Sequence, residues 1–273
     1  MAVQKDLVAG LYDRASAIYD QVGPKSASRF GKRLVELMDI QAGAHVLDVG
    51  VGRGANLFPA AERVGPEGRV VGIDISQGML TEVSAEVKAL ALTQVKVKQM
   101  DGENLDFADA SFDHLLCGYT IFWFGDLPGT LLGFHRVLKT DGSVGISMYG
   151  GGDPRWAWYG ELLGEYGKKH VKFTDFGGND VNGKPDVLKI ALLEAGFENV
   201  QIVVEPFEIV YTGAEEWWEE KWTHGSRAPL EQMTPDVRTR FKTEALAKLA
   251  EMEENGVYRM EWKTCFAVAQ KLH

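Results

Sequence analysis

Cysteine is nearly absent from this chain. Cys117 and Cys265 are the only two in 273 residues, too few and too far apart for a disulfide framework or a CxxC knuckle. That scarcity suits a reducing compartment, so a cytoplasmic localisation is expected. Long apolar runs are lacking as well. The longest, LLCGYTIFWFG at 115–125, is far shorter than the roughly 18 to 20 residues of a membrane span, and MAVQKDLVAG has no signal-peptide core. No membrane partner is expected. Nor is there an excess of positive charge: 29 Lys and Arg against 39 Asp and Glu leave a net charge of −10, a field that repels polyanions. The short basic stretches KKHVK at 168–172 and KVK at 96–98 read as solvated faces, so no nucleic acid is expected as partner. The six histidines show no ligand spacing, and no metal is expected. HExxH, GxSxG and YxxxK do not occur. GNDVNGKP at 178–185 has P-loop glycine spacing, but Pro185 stands where a magnesium-binding Ser or Thr belongs and no apolar strand precedes it.

What remains is a globular composition, 45% hydrophobic, with enough length for a substantial core. Val- and Ile-rich runs at 45–49, 69–73, 95–100, 112–118, 143–149, 199–210 and 258–269 predict strands. Helical patterns at 55–64, 77–91, 126–139 and 185–195 alternate with them, as in a doubly wound α/β sheet. Two segments stand outside the alternation: 150–184, rich in Gly and aromatics, and 213–256, helical and carrying EEWWEEKWTHGSR. We therefore expect one domain over 1–273, with 1–42 as a helical lid and 43–149 as the cofactor-binding core. Segments 150–184 and 213–256 are expected as acceptor-lid insertions, and 185–212 and 257–273 as the rest of the core.

The motif VLDVGVGRG at 46–54 lies between a strand and a helix. Glycine permits a tight turn and close approach to a ligand, and the next helix offers free N–H groups. Gly50, Gly52 and Gly54 give GxGxG rather than the GxGxxG of dinucleotide sites. Asp48 beside the loop suits an ammonium group better than a pyrophosphate. Asp74, at the end of the second strand in VVGIDIS, can accept hydrogen bonds from a ribose diol. Asp101, in QMDGENLDF, can take an exocyclic adenine amine. Ammonium, ribose diol and adenine are the three handles of S-adenosylmethionine.

VLDVGVGRG, VVGIDIS, MDGENLDF, FDHLLCGYTIFWF and RVLKTDGSVGISMY, in this order, resemble the motif series of class I S-adenosylmethionine-dependent methyltransferases. More narrowly they are similar to the small-molecule branch related to ubiquinone and menaquinone biosynthesis. The likeness covers about residues 10 to 150, and extends more loosely through ALLEAGFENVQI and CFAVAQKL. It implies a Rossmann-like, doubly wound seven-stranded sheet, mostly parallel with an antiparallel last strand, and S-adenosylmethionine as cofactor. It implies that Asp48, Gly50 and Gly52 hold the methionine end, Asp74 the ribose, and Asp101 with Gly102 the adenine, which Ile75 and Met79 sandwich. Tyr19, in AIYDQVG, would reach in from a lid helix, and Gly118 and Tyr119 would close the cofactor set. Tyr119, Phe122 and Trp123 would face the methyl. Val51 departs from the cysteine many relatives carry.

The acceptor is expected to be a small, largely apolar metabolite, because Trp156, Trp158, Tyr159, Trp217, Trp218 and Trp222 crowd the insertions. Phe122, Trp123, Trp156, Trp158, Trp222 and Arg227 are the candidate substrate-binding residues. His224, Tyr149 and Glu161 are candidate bases, all outside the cofactor motifs. The density of aromatics without a clear base makes carbon methylation of a prenyl or aromatic acceptor one expectation, in secondary metabolism or an isoprenoid or aromatic pathway. O- or N-methylation of a polyketide or indole, an NAD-linked oxidoreductase and a cofactor-retaining cyclase are the alternatives. A homo-oligomer of undefined order is compatible with the sequence.

Overall fold

Five apolar segments build the parallel part of one sheet in a computed structural model, which describes residues 2–171 and 178–273. They are β1 (His45–Val49), β2 (Arg69–Asp74), β3 (Val95–Gln99), β4 (Phe112–Gly118) and β5 (Leu138–Gly152). β6 (Glu198–Tyr211) and β8 (Val257–Gln270) complete the order β3-β2-β1-β4-β5-β8-β6, with the two-residue β7 (Glu253–Glu254) hairpinned onto β8. β8 runs antiparallel to both β5 and β6. Chain order reverses between β1 and β4, so their carboxyl ends open a crevice where α/β sheets bind ligands.

Side chains alternate across each strand. Val46 joins one core cluster with Leu34, Leu57 and Leu80, and Leu47 joins the other with Leu115, Leu131 and Leu188. The helices behind these clusters are α2 (Ser26–Leu37), α3 (Leu57–Val64), α4 (Gln77–Ala89), α5 (Leu127–Val137) and α7 (Pro185–Glu194). Local chemistry sets their ends: Ser76 caps α4 by accepting from Met79 N, and Asp126 caps α5 by accepting from Gly129 N.

Within the first 42 residues, α1 (Ala2–Ala15) lies on α4, over the crevice. By contrast α2 is part of the sheet's own helical layer, packing Leu34 and Met38 so tightly on β5 that a Cβ at Gly145 would sit 2.4 Å from Met38 Sδ. The insertions supply α6 (Ala157–His170), α8 (Ala214–Glu220), α9 (Arg227–Gln232) and α10 (Pro235–Ala250). A third apolar cluster, with Trp156, Trp217, Trp218 and Phe241 at its centre, joins them. α6 was not legible in the Gly-rich 150–184 stretch, of which 172–177, including Lys172 of the KKHVK run, lies outside the described residues.

The boundaries differ most from expectation at β5, which also runs past the expected 149 to Gly152. The helix expected over 126–139 stops at Val137, and β5 begins at Leu138, which already pairs with Phe112. Asp141–Gly142, which reads as a turn, is a kink within the strand: Asp141 has φ 64° and donates its N–H to Lys271 O at 2.7 Å. Among the described residues no helix is long and apolar enough to cross a membrane.

Candidate active site

The loop after β1 needs its glycines. Gly50, Gly52 and Gly54 all have positive φ, and a Cβ on Gly50 would lie 2.2 Å from Thr120 Oγ1. Gly50 N and Val51 N both donate to Ile73 O at 2.9 Å, fixing the loop against the end of β2. Asp74 completes this: its Oδ2 accepts from Gly52 N at 2.8 Å and its Oδ1 from Ser76 N at 2.9 Å. Burial raises the Asp74 carboxyl above its usual range, and those N–H donors oppose the rise.

A cavity of about 100 Å³ opens at this loop. Every expected cofactor residue except Asp48 lines it: Tyr19, Gly50, Gly52, Asp74, Ile75, Met79, Asp101, Gly102, Gly118 and Tyr119. Asp48 sits behind the loop, fully buried, where Oδ1 accepts from Asn56 Nδ2 at 2.9 Å and Oδ2 has no hydrogen-bond partner. Asp48, which the Leu57 N–H also engages, therefore lies outside the space a ligand would enter and its charge could act there only through the glycine loop. Burial, with a smaller push from Asp74, lifts the Asp48 carboxyl to about 7 against the Asn56 bond.

A prediction follows from the sign of that shift. The folded pKa lies above the unfolded value near 4, so the folded state favours the neutral acid, and an ionisation penalty grows as pH rises from about 4 to 7. Asp48→Asn keeps an acceptor for Asn56. It should stabilise the ligand-free protein at pH 8 by up to about 4 kcal/mol, three pKa units at roughly 1.4 kcal/mol each, and change it little at pH 4. Equal shifts in Tm at the two pH values would contradict this.

α1 roofs the cavity with Lys5, Val8 and Tyr12, none of which the sequence flagged. Asp13 ties α1 down by accepting from Ser76 Oγ at 2.6 Å and Gly78 N at 2.8 Å. Lys5 pairs with Asp101 at 2.6 Å and with Glu103. Asp101 Oδ2 also accepts from Asn104, and Oδ1 from Glu103 N. The carboxylate expected to take an adenine amine is thus engaged by the roof. About 100 Å³ is also below the roughly 300 Å³ at the low end of small-molecule pockets, so α1 stands closed over the cavity. Lys5→Ala should tighten S-adenosylhomocysteine binding by about two- to fivefold, from the up to ~1 kcal/mol of a half-exposed ion pair. Weaker binding by calorimetry would mean that Lys5 supports the bound state.

A second cavity, of about 650 Å³, adjoins the first, and Tyr12, Tyr19, Tyr119 and Trp123 line both. These four rings form a collar. Tyr12 meets Tyr19 and Trp123 edge-on at 6.1 and 6.0 Å, and Phe30 stacks on Tyr119 at 5.2 Å. Tyr119 has φ 52°, an unfavourable conformation for its residue type, and is held by Trp262 Nε1, which donates to its hydroxyl at 2.8 Å, and by Thr264 Oγ1 at 2.7 Å.

Phe122, Trp123 and Trp156 line the larger cavity, as do Tyr149 and His224. The other expected residues do not. Trp158 turns away to stack on Trp156 and Trp217, and Trp222 lies beneath the guanidinium groups of Arg227 and Arg238. Arg227 is spent on Glu231 at 2.6 Å. Glu161 is exposed on the outer face of α6 and lines neither cavity. In their place Tyr159, Tyr211, Trp217, Glu220 and Lys221 form the wall. His224 Nε2 lies 3.3 Å from Glu220 Oε2, which also accepts from Lys221 Nζ at 2.6 Å. Burial pushes the Glu220 carboxyl up, but Lys221 and His224 outweigh it and hold Glu220 well below the usual carboxylate range. No cluster suited to a metal ion occurs among the described residues.

A family model described as a methyltransferase domain matches residues 46–142. Nocamycin O-methyltransferase of Saccharothrix syringae is 33% identical over 259 residues, 90% of this chain and 92% of that protein. A demethylmenaquinone methyltransferase of Lactobacillus johnsonii is 32% identical over 148 residues, 52% of this chain and 60% of its own length. Among solved structures, the YcgJ protein of Bacillus subtilis superposes with a TM-score of 0.62 at 18% identity, covering 90% of this chain and 99% of that one, a likeness of fold.

Proposed function

The chain belongs to the class I S-adenosylmethionine-dependent methyltransferases, and from that premise we propose that it methylates an oxygen of a planar, largely apolar small molecule. The observation that carries this reading is the pair of cavities joined at an aromatic collar, with a half-buried Glu220–His224 pair in the wall of the larger one. Family membership sets the oxidoreductase alternative aside.

S-adenosylmethionine supplies an electrophilic methyl on a sulfonium. In our reading Asp74 uses its remaining lone pairs for the ribose diol, Asp101 turns from Lys5 to the adenine amine, and Asp48 balances the ammonium through the glycine loop. The collar surrounds with aromatic side chains the passage between the two cavities, where the methyl must cross. The large cavity holds the acceptor in line. His224 takes the hydroxyl proton of the acceptor, and Glu220 orients the ring and stabilises the imidazolium. With its side chain 37% exposed, His224 can then release the proton to solvent.

Carbon methylation drew support from the density of aromatics and the absence of a clear base, and the Glu220–His224 pair weakens only the second of these. The nocamycin relative is itself named an O-methyltransferase, which favours oxygen. The test is release of S-adenosylhomocysteine across planar phenols and enols, each paired with the same skeleton carrying a blocked hydroxyl. Release only with the free hydroxyl is expected, and equal release with both would point to carbon.

A further inference from the structure

We propose that Lys221 makes the acceptor cavity a receptor for an ionised oxygen acid, an enol, phenol or carboxylic acid that loses its proton near neutral pH, and so selects the acceptor. This deepens the oxygen-transfer reading and rests on it.

Lys221 is 7% exposed and lines the large cavity. Its ammonium is ringed by Trp217, Tyr211 and Tyr159 at 5.0, 5.3 and 5.5 Å from the ring centres. An ammonium has three N–H donors, and the bond to Glu220 uses one. Glu220 has little more to offer it, because its carboxylate is shared with His224 and the Tyr211 hydroxyl. Stability does not explain such a pair, since burying two charges is costly and apolar replacements are often neutral or stabilising. A cavity that receives a third charge does explain it.

The charges close. Glu220 and Lys221 cancel in the resting wall. An acceptor that arrives as its anion places one negative charge opposite the Lys221 ammonium and needs no base, and one that arrives protonated gives its proton to His224, which leaves one positive charge on the wall facing one negative oxygen. The oxygen lone pair then forms the O–C bond, the C–S bond breaks with its electron pair left on sulfur, and any proton on His224 leaves to solvent. No oxidant or reductant is required.

The rest of the wall limits the acceptor to about one negative charge. The other cation among the described lining residues is Lys25, which is exposed. The lining carboxylates Asp20 and Asp153 add negative charge, and both are already engaged, by Ala27 and Ser28 and by Arg155. A diphosphate has no cationic cradle here, which disfavours prenyl diphosphates.

The test compares 2-hydroxy-1,4-naphthoquinone, an acid, with its neutral 2-methoxy analogue, by calorimetry at neutral pH on full-length protein saturated with S-adenosylhomocysteine. The wild type should prefer the acid by at least about tenfold, the effect of one hydrogen bond to a charged group. Lys221→Met should bring the ratio to within twofold, and Lys221→Arg should keep a preference. Retention of the thermal shift given by S-adenosylhomocysteine shows that a variant is folded, and Lys221→Gln replaces the Met variant if it is not. Equal binding of both probes by the wild type, binding of neither, or a preference that survives in the Met variant would overturn the proposal. A preserved preference in the wild type with methyl delivered to carbon would instead sink the oxygen-transfer reading and leave the role of Lys221 standing.

Discussion

Asp74→Ala should weaken S-adenosylhomocysteine binding by about 100-fold or more. Two hydrogen bonds from a ribose diol to a buried carboxylate are worth roughly 1.5–3 kcal/mol each, and 2.7 kcal/mol is already about 100-fold. The sequence alone suggests that the affinity falls without unfolding the protein. The structure adds a partial loss of stability to that expectation. Asp74 also holds Gly52 N and Ser76 N, so its loss frees the glycine loop and unpins the start of α4. A stability loss of about 1–3 kcal/mol should accompany the binding defect. Asp74→Asn, which keeps one acceptor oxygen, should fall between. Calorimetric titration below the variant's Tm separates the effects, and unchanged affinity would remove Asp74 from the cofactor site.

On an acceptor that is protonated at the assay pH, His224→Ala should lower kcat by about 10²- to 10⁴-fold, the range for loss of a positioned general base. Affinity for S-adenosylhomocysteine should stay within about twofold, because His224 does not line the cofactor cavity. A loss of less than about tenfold on such an acceptor would mean that His224 is not the base. Glu220→Gln is expected to act on both rate and stability. Breaking a buried pair from one side costs about 3–5 kcal/mol, and here Lys221 and His224 would both lose their partner. The folded pKa of Glu220 lies below its unfolded value, so its contribution is present above about pH 4 and is lost only as pH falls further. The stability gap between wild type and Glu220→Gln should therefore persist from pH 5 to 8 and close on acidification.

The cofactor half of this site was readable because its requirements are local. A loop with three positive-φ positions must be written with glycine, and acids that end successive parallel strands announce themselves by position. The acceptor half depends on which way a helix turns. Trp158 and Tyr159 are adjacent, yet only Tyr159 lines the cavity, and Trp217 does so where Trp222 does not. Composition puts all of them in one region without saying which face is inward. Glu220 and His224 are four apart, but Glu220 ends α8 and His224 lies beyond it, and Glu220 is one of four glutamates in EEWWEE, so nothing local singles the pair out. The α1 contacts were further out of reach. Lys5 meets Asp101 across 96 positions and Arg14 meets Glu231 across 217, pairings that only the folded chain defines.

A crystal structure with S-adenosylhomocysteine tests the central claim most directly. The account places the thioether sulfur at the collar of Tyr12, Tyr19, Tyr119 and Trp123, the ribose diol on Asp74, and Lys5 displaced from Asp101. A sulfur remote from those four rings, or a nucleoside bound with the Lys5–Asp101 pair intact, would contradict it.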